Sequence, residues 1–437
     1  ETGYMTQHIL SDIAHLKQLN VTNVINDESI KTIVQRAIPY LDERIAEDLE
    51  RIKKYNKNWK KEDHLGAIQI HYLYMRGQFK EFSIPAKTQE AYDYFLQQAN
   101  DYWLKRDFYQ QGMIAIALHN NQKQETAQKV MESIKEHSIV NDEMGMYWKA
   151  IEQGGYYWYN APIESHALLI EAFHTVMNDQ DAVNEMKVWL LKQKQVQDWK
   201  TTKATTEAIY ALLLRGEDWL SNTEMVEVKV GKKIIDPTQQ NASYEAGTGY
   251  FKVNWDGKEV TKEMAEVTVT SKNDAPSWGA MYWQYFEDLD QIKSFEETPL
   301  ELKKSVYVET VGNSGPVITP IDDAPALKAG DKLKIRIELR VDRNMEYVHM
   351  KDMRASGLEP INVLSHYKYQ DGLGYYESTK DAATHFFFDY LPKGVYVFEY
   401  PLRVTHKGDF SNGITTIQSM YAPEFTSHSE GIRLEVE

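Results

Sequence analysis

The residues of this sequence that could do chemistry are histidines, carboxylates and a run of aromatic side chains near residue 160. Glu171 and His174 form one Glu-x-x-His pair in a segment with helical spacing, and His166 lies earlier in the same segment. A zinc-protease helix needs a second histidine on the same face, and a di-iron bundle needs two Glu-x-x-His pairs. The sequence therefore predicts no metal site. We expect Glu171 and His174 to be hydrogen-bonded within the fold or to face solvent.

The aromatic run offers the residue types of a polysaccharide lyase. Its members are followed by a histidine at the start of the next predicted helix: Tyr156, Tyr157, Trp158, Tyr159, Asn160 and then His166. A lyase needs a base, often Tyr or His, beside an Asn or Arg that neutralises the uronate carboxylate. Tyr157 and His166 would be the first residues to substitute. The other interpretation, which we favour, is an aromatic loop packed between helical hairpins.

Other catalytic arrangements find little support. An inverting glycoside hydrolase needs two carboxylates about 6.5–9.5 Å apart, and the 65 acidic residues cannot be paired from the sequence. The patterns Gly-x-x-x-x-Gly-Lys, Gly-x-Gly-x-x-Gly and Gly-x-Ser-x-Gly are missing. Cysteine is absent, which excludes disulfides, thiolate zinc sites and cysteine nucleophiles. We therefore predict a protein that is not an enzyme, with no catalytic residues, no metal ligands and no cofactor.

Charge and hydropathy limit the partners. A net charge of −16 argues against nucleic acid, which requires a basic surface, and against docking on anionic membranes. No run of about 18 apolar residues occurs, so no direct membrane insertion by this chain is expected. The first residues, Glu1–Met5, have neither the basic nor the apolar region of a signal peptide.

Before residue 220 the apolar spacing is helical. Met5, Ile9, Ile13 and Leu16 recur every three or four residues and predict one buried face of a first helix. Further helices are predicted over 26–55, 62–76, 88–106, 108–119, 122–136, 162–178, 180–195 and 202–214. Their termini carry the usual signals: an N-cap at Asn26, a capping box of Asn121 with Gln124, and Pro162 in a first turn.

After Trp219 the period becomes two, as in strands. The alternating apolar positions are Val226, Val228 and Val230, then Val267 and Val269, then Leu333, Ile335, Ile337, Leu339 and Val341, and finally Ile432, Leu434 and Val436. The segment 311–330 contains Pro316, Pro320 and Pro325 and is predicted to be a boundary loop or a linker within the β half.

These periods predict a multidomain α-then-β fold. Residues 1–220 are expected to form part of an α/α toroid. Residues 221–304 are expected to form a small β domain, and residues 305–437 an antiparallel β-sandwich. Paired helices joined by short polar loops favour a toroid over a regular repeat array, because no clean sequence period occurs.

Several segments resemble one family, the bacterial alpha-2-macroglobulins. Those in the first half, 155–173 and 199–213, are similar to a hairpin and to the closing helix of that family's thioester-type toroid. Residues 278–285 look like its small CUB-like β domain. The strongest similarity is to the C-terminal macroglobulin domain, in Asp352–Pro360, His385–Gly394 and Gln418–Pro423. Within these motifs we expect Gly357 and Pro360 to shape a turn, Phe386 and Phe388 to alternate with Phe387 across two faces, and Gly394 to close a hairpin.

The resemblance implies a protease trap rather than an enzyme. Its expected partners are target proteases, bound through the intact protein, and its expected location is extracytoplasmic, either periplasmic or anchored at the bacterial surface. In that family a bait segment is cleaved, and a thioester built from Cys and Gln can then capture the attacker. This chain has no cysteine and hence no thioester of its own. Whether the intact protein has one stays open, as do a polysaccharide-active enzyme and a scaffold or adhesion module.

The segment Tyr4–Leu10 resembles a helix from the middle of the toroid, so we expect several earlier helices to be missing. A toroid without its first hairpins would expose an apolar edge at Leu10, Ile13, Leu16 and Leu19, on the scale of a few hundred Å². Possible self-association through that edge is therefore expected.

Overall fold

A computed structural model of the chain describes residues 3–21, 23, 26–152, 161–196, 199, 201–214, 226–236, 243–244, 250–271, 279–295, 298–312 and 315–437. The chain divides into two compact units. One comprises residues 1–192 with 199–278, and the other residues 193–198 with 279–437. Helices fill the first half and antiparallel sheets the second, so the predicted α-then-β fold class is confirmed. The limits 1–220, 221–304 and 305–437 stay a prediction, and residues 215–225 lie outside the described part.

Apart from the short helix Lys149–Glu152, the helices lie where the periodicity predicts them. They are α1 Gly3–Gln18, α2 Glu28–Tyr55, α3 Ala67–Arg76, α4 Ala86–Tyr102, α5 Phe108–Asn120, α6 Gln124–Glu136, α7 Lys149–Glu152, α8 Pro162–Ala172, α9 Gln180–Val196 and α10 Thr202–Leu213. A π-helical turn, Phe173–Met177, continues α8. Among the described residues, no helix combines the length and the apolar character needed to cross a bilayer.

Two of the three predicted helix caps are wrong. Asp27, not Asn26, caps α2, because its carboxylate accepts the backbone N–H groups of Ser29 and Ile30. The capping box at Asn121 does not form, since α6 begins after Lys123 without a side-chain cap. Asn121 instead closes α5 by donating from Nδ2 to the carbonyl of Ala117. The predicted position of Pro162, in the first turn of α8, is confirmed.

Helices α3, α5 and α8 form the centre of the helical unit. In α5 every residue from Gln111 to Leu118 is buried, and in α8 the same holds for His166 to Ala172. Trp148, Trp189 and Phe79 are fully enclosed around them. Helices with little polar surface must be surrounded on all sides, which explains why the other helices cover them.

The predicted buried face of α1 is right in its second half only, where Ile13 is buried and Leu16 is half-buried. Met5 and Ile9 are exposed, whereas Gln7, Ser11 and His15 are buried, because polar partners on neighbouring helices receive them. Two of the residues predicted to form an exposed apolar edge also lie in the core, since Leu10 is 0 % and Ile13 is 5 % exposed. Leu16 and Leu19 are half-buried. The predicted edge is therefore wrong for these residues, and self-association stays a prediction without that basis.

A short hairpin, β1 Ile139–Asn141 with β2 Gly145–Tyr147, packs on α9 through a glycine. Gly145 has φ +71°, and a Cβ there would overlap the carbonyl oxygen of Glu185. We expect Gly145→Ala to destabilise the helical unit by about 2–4 kcal/mol, because it adds steric overlap to backbone strain. Gly372 has φ +82° with open space around it, so Gly372→Ala isolates the strain. If urea denaturation shows that both variants lose the same free energy of unfolding, the packing argument is contradicted.

The short strands after the helices form a small β layer. A three-stranded sheet has the order β4 (Lys233–Ile235), β3 (Glu227–Val230), β7 (Val267–Thr270), and β5 Ser243–Tyr244 pairs with β6 Phe251–Lys252. The alternating valines predicted for β3 and β7 do lie in strands. Their core is small: Val230, Ile235 and Met264 are buried, whereas Val267 and Val269 are exposed.

The last unit is a β-sandwich. One sheet has the order β12-β16-β10-β8-β9, the other β13-β14-β15-β11-β18-β19, and β17 pairs with β20. The strands are β8 Leu300–Gly312, β9 Gly315–Pro320, β10 Lys332–Val341, β11 Met345–Met353, β12 Leu358–Pro360, β13 His366–Gln370, β14 Leu373–Thr379, β15 Ala383–Leu391, β16 Gly394–Val404, β17 Gly408–Ser411, β18 Thr415–Ser419, β19 Thr426–His428 and β20 Arg433–Val436. Alternate side chains fill the space between the sheets, as the period of two predicts.

Two expectations for the sandwich are wrong. The segment 311–330 is not simply a linker, because β9 pairs with β8. Pro316 and Pro320 are tolerated there because β9 is an edge strand, where a missing N–H breaks no ladder. Gly394 does not close a hairpin. It begins β16 in the five-stranded sheet, whereas the preceding β15 belongs to the six-stranded sheet.

Candidate functional site

Polar side chains, many of them buried, gather where α1, α3, α8 and α10 meet. On α1 they recur at helical spacing: His8, Ser11, Asp12 and His15. The other helices contribute His71 and Tyr74 from α3, Glu171 from α8, and Lys203, Glu207 and Tyr210 from α10. Polar side chains in a helix interior need partners, so this cluster explains the orientation of α1.

The centre of the cluster is a chain of three groups. The His15 ring nitrogen Nε2 lies 2.8 Å from Tyr74 Oη, which donates to Glu171 Oε2 at 2.5 Å. The Tyr210 ring stacks on the imidazole of His15, with centroids 3.7 Å apart. Glu171 is 1 % exposed, and its second oxygen has no hydrogen-bond partner among the described residues. The three groups are thus held in fixed positions and shielded from water.

The outer part of the cluster is acidic and reaches solvent. Asp12 is exposed, and the Glu207 side chain is 15 % exposed. Glu207 Oε2 lies 3.7 Å from Nδ1 of His15. Atoms of Asp12, His15 and Glu207 that could bind a cation lie within 4.8 Å of one another. The arrangement is a carboxylate–imidazole–carboxylate group with one open side.

A second polar contact lies beside it. Ser11 Oγ is 3.1 Å from Nε2 of His71, whose ring lies 4.4 Å from the ring of His8. Burial, with the nearby charge of Lys203, lowers the pKa of His8 to about 4, and burial above all lowers that of His71 to about 3. Both imidazoles are therefore neutral near pH 7, and each can accept a hydrogen bond through the ring nitrogen that carries no proton.

Burial shifts the central groups toward their neutral forms. It raises the pKa of Glu171 to about 7 and that of Glu207 to about 8. It lowers the pKa of His15 to about 3. Such perturbed groups cluster at functional sites more often than elsewhere, although ion pairs of the framework perturb them too. The cluster can therefore hold a proton or a cation, and it is the candidate site of the helical unit.

His166, the histidine of the alternative lyase interpretation, lies elsewhere in the core. His166 is 0 % exposed, donates from Nε2 to the carbonyl of Met186 at 2.9 Å, and packs on Trp148 and Trp189. Tyr156, Tyr157, Trp158, Tyr159 and Asn160 lie outside the described residues. A substrate could reach His166 only if the packing opened, so the structure does not favour the lyase role that was the alternative interpretation for it.

Because burial lowers the pKa of His166 to about 4, acid should destabilise the helical unit. The unfolded chain binds a proton at this residue near pH 6.5, whereas the folded chain does not until about pH 4, so stability falls as the pH falls between these values. His166→Gln keeps a hydrogen-bond donor for the carbonyl of Met186 but removes the group that binds a proton in the unfolded chain. We expect the free energy of unfolding of this variant to fall less steeply with falling pH than that of the wild type. The two slopes should differ by roughly 1.4 kcal/mol per pH unit at most. Parallel pH profiles in urea denaturation would contradict this, since the other histidines titrate in both proteins.

The sequence motifs did not indicate the cluster. Glu171 is the only one of its members that belongs to such a motif. The detectable signal was the spacing of His8, Ser11, Asp12 and His15 on one face of α1. The partners of that face, Tyr74, Glu171 and Glu207, belong to three other helices and share no local motif with it. Glu171 is buried rather than facing solvent.

The sandwich unit matches the model of one protein family. Residues 300–424 match the model described as the bacterial alpha-2-macroglobulin MG10 domain. This part of the chain is therefore similar to that domain, and we call it the MG10 domain below. The family resemblance is thereby confirmed at the C-terminal domain, and all three of its strongest motifs, Asp352–Pro360, His385–Gly394 and Gln418–Pro423, lie within the matched residues.

The MG10 motifs contain residues with evident structural roles. Asp352 is fully buried in a polar network, and Arg354 donates to the carbonyl of Lys380. Phe386 and Phe388 are 1 % exposed while Phe387 is 43 % exposed, so the predicted alternation is confirmed. Gly357 lies in the turn before β12, where a Cβ would meet the Phe410 ring.

Solved structures of the same family also match at low identity. Against Salmonella alpha-2-macroglobulin reacted with methylamine, identity is 14 % and the TM-score 0.29, covering 92 % of this chain and 24 % of that one. Against Escherichia coli alpha-2-macroglobulin activated by porcine elastase, identity is 12 % and the TM-score 0.37, and the match covers 92 % of this chain and 33 % of that one. Against the trypsin-activated Escherichia coli protein, identity is 11 % and the TM-score 0.41, and the match covers 85 % of this chain and 27 % of that one. This chain thus spans between about a quarter and a third of these proteins. No curated protein matches its sequence.

Proposed function

We propose that this chain is the C-terminal framework of a bacterial protease trap of the alpha-2-macroglobulin type. The observation that carries the proposal is the MG10 domain at residues 300–424, which follows a helical unit in the order that the resemblance implies. Two of the matched Escherichia coli structures are described as activated by elastase and by trypsin, which supports proteases as the partners.

The framework has no covalent means of capture. The chain lacks cysteine, so a Cys–Gln thioester cannot form within it. Its role in the intact protein is to hold the shape that encloses a protease, and it is not an enzyme. An extracytoplasmic location, periplasmic or at the bacterial surface, fits a protein that meets foreign proteases.

The test compares this chain with the intact protein of its source. Each is incubated with elastase or trypsin, and hydrolysis is measured on casein and on a small chromogenic peptide. A trap hinders large substrates but leaves the small peptide accessible. We expect that pattern for the intact protein and no inhibition by residues 1–437 alone.

Three outcomes would overturn the proposal. They are stoichiometric inhibition by this chain alone, equal inhibition of casein and peptide hydrolysis by the intact protein, and no inhibition by the intact protein at all. Release of unsaturated products from alginate, heparin or pectin would instead favour the polysaccharide-active alternative. In that case Tyr157 and His166 would be the first residues to substitute.

A further inference from the structure

We infer that Asp12, His15 and Glu207 form a binding site for a divalent transition-metal ion, best suited to Zn²⁺. The site lies between α1 and α10 in the helical unit and does not depend on the proposed function. The sequence motifs predicted no metal, because the three residues do not form a local pattern: Asp12 and His15 share one helix face, and Glu207 is nearly two hundred positions away.

The imidazole is oriented for a ligand by its hydrogen bond. Tyr74 has one hydroxyl proton and donates it to Glu171 Oε2, 2.5 Å away. Nε2 of His15 must then be the donor in its 2.8 Å contact with Tyr74 Oη. The lone pair is therefore on Nδ1, the nitrogen that faces Glu207. Zinc-bound histidines are typically held in this way, with the second ring nitrogen donating to an outer partner.

Distances and burial fit a metal ion with an open position. Zn²⁺ binds imidazole nitrogen and carboxylate oxygen at about 2.0–2.2 Å, which separates neighbouring ligand atoms by roughly 3–4 Å. The candidate atoms of the three residues all lie within 4.8 Å of one another, and His15 Nδ1 is 3.7 Å from Glu207. Small rotations of the exposed Asp12 bring its oxygen into range. The His15 ring is fixed by stacking on Tyr210, so the site is built around a rigid, deeply buried ligand.

The surrounding charge favours a cation. Glu207 lies in the field of three further carboxylates, Asp12, Glu171 and Glu164, which is opposed by Lys203. Lys203 also acts electrostatically on Asp12 and His8, so its positive charge acts on the same carboxylates that would bind the proposed ion. The lysine and the metal should therefore compete. One imidazole nitrogen among oxygen ligands selects Zn²⁺ or Co²⁺ over Mg²⁺ and Ca²⁺, which prefer oxygen alone.

The test uses the whole chain after removal of metals by a chelator. Co²⁺ is titrated and followed by its visible absorption, and Zn²⁺ is measured by competition with a chromophoric chelator. We expect one tight site per chain, weakened at least 10-fold in Asp12→Asn and Glu207→Gln, which remove ligand charge near the surface. Tyr74→Phe should weaken binding about 10-fold through the lost outer hydrogen bond. Lys203→Met should strengthen binding. Glu132→Gln, an exposed carboxylate on α6, is the matched control and should not change it.

The outcomes separate the site from incidental binding by other histidines. Tight binding that Asp12→Asn and Glu207→Gln leave unchanged would overturn the inference, as would the absence of a stoichiometric site in the wild-type chain. Circular dichroism confirms that each variant is folded. Weaker binding in Lys203→Met than in the wild type would also contradict it, because that result would make the lysine a supporting group instead of a competitor.

Discussion

Replacing Asp352 by alanine is expected to destabilise the MG10 domain by about 3–5 kcal/mol. Lys304 Nζ lies 2.7 Å from Asp352 Oδ1, and both side chains are 0 % exposed. The same ammonium donates to the carbonyl of Met353 at 2.8 Å. The carboxylate also accepts the hydroxyl groups of Tyr400 and, at 2.6 Å, Thr415. Alanine would leave a buried ammonium without its counter-ion and two hydroxyl groups without their acceptor.

Two further variants give this prediction its controls. The double variant Lys304→Met with Asp352→Leu removes both charges and should recover much of the loss, because the penalty arises from the charge left unpaired. Glu301 pairs with Arg340 at 3.8 Å on the surface, and Glu301→Ala should cost less than about 1 kcal/mol. Hydrogen exchange in the strands of the sandwich during urea denaturation measures each change. If Asp352→Ala costs no more than Glu301→Ala, the buried network does not stabilise the domain.

The element pattern was predictable because solvation imposes it locally. Between Leu333 and Val341 every second side chain is buried between the sheets, and the sequence alternates accordingly. Helix limits were also predictable to within a few residues, except where two adjacent polar residues compete for a cap, as Asn26 and Asp27 do. The edge position of β9 could not be predicted, because it depends on which strand ends the sheet. Its prolines were therefore interpreted as a linker.

The candidate site was not predictable because its parts come from distant helices. Ser11 and His71 are 60 residues apart, and Tyr74 and Glu171 are 97 apart. Periodicity shows that a residue lies on a certain face, but not which helix that face meets. For this reason Met5 and Ile9 on α1 were wrongly predicted to be buried, although Ile13 was predicted correctly. Only the tertiary contacts show that the polar face is enclosed.

The helical unit contains a comparable buried pair, and Asp42→Ala should destabilise that unit by about 3–5 kcal/mol. Arg76 on α3 donates from Nε to Asp42 Oδ1 at 3.0 Å, and both side chains are 2 % exposed. Its other nitrogens donate to the carbonyls of Phe79 and Phe82, at 3.0 and 2.9 Å. Tyr72 donates to the same carboxylate oxygen at 2.6 Å. Arg76 thus ties the chain after α3 to α2, and it can hold these carbonyls without penalty only while Asp42 balances its charge.

The two units allow each aspartate to serve as the other's control. Asp42→Ala should increase hydrogen exchange in α2, α3 and α4 and leave the strands of the MG10 domain unchanged, whereas Asp352→Ala should do the reverse. Asp42→Asn keeps an acceptor for Tyr72 and the shape of the side chain but removes the charge. This variant separates the effect of the charge from that of the hydrogen bonds. We expect its loss of unfolding free energy to be more than half of the loss in Asp42→Ala, because the guanidinium of Arg76 cannot release its proton to become neutral. A fully stable Asp42→Asn variant would contradict the charge argument and assign the effect to the lost hydrogen bonds.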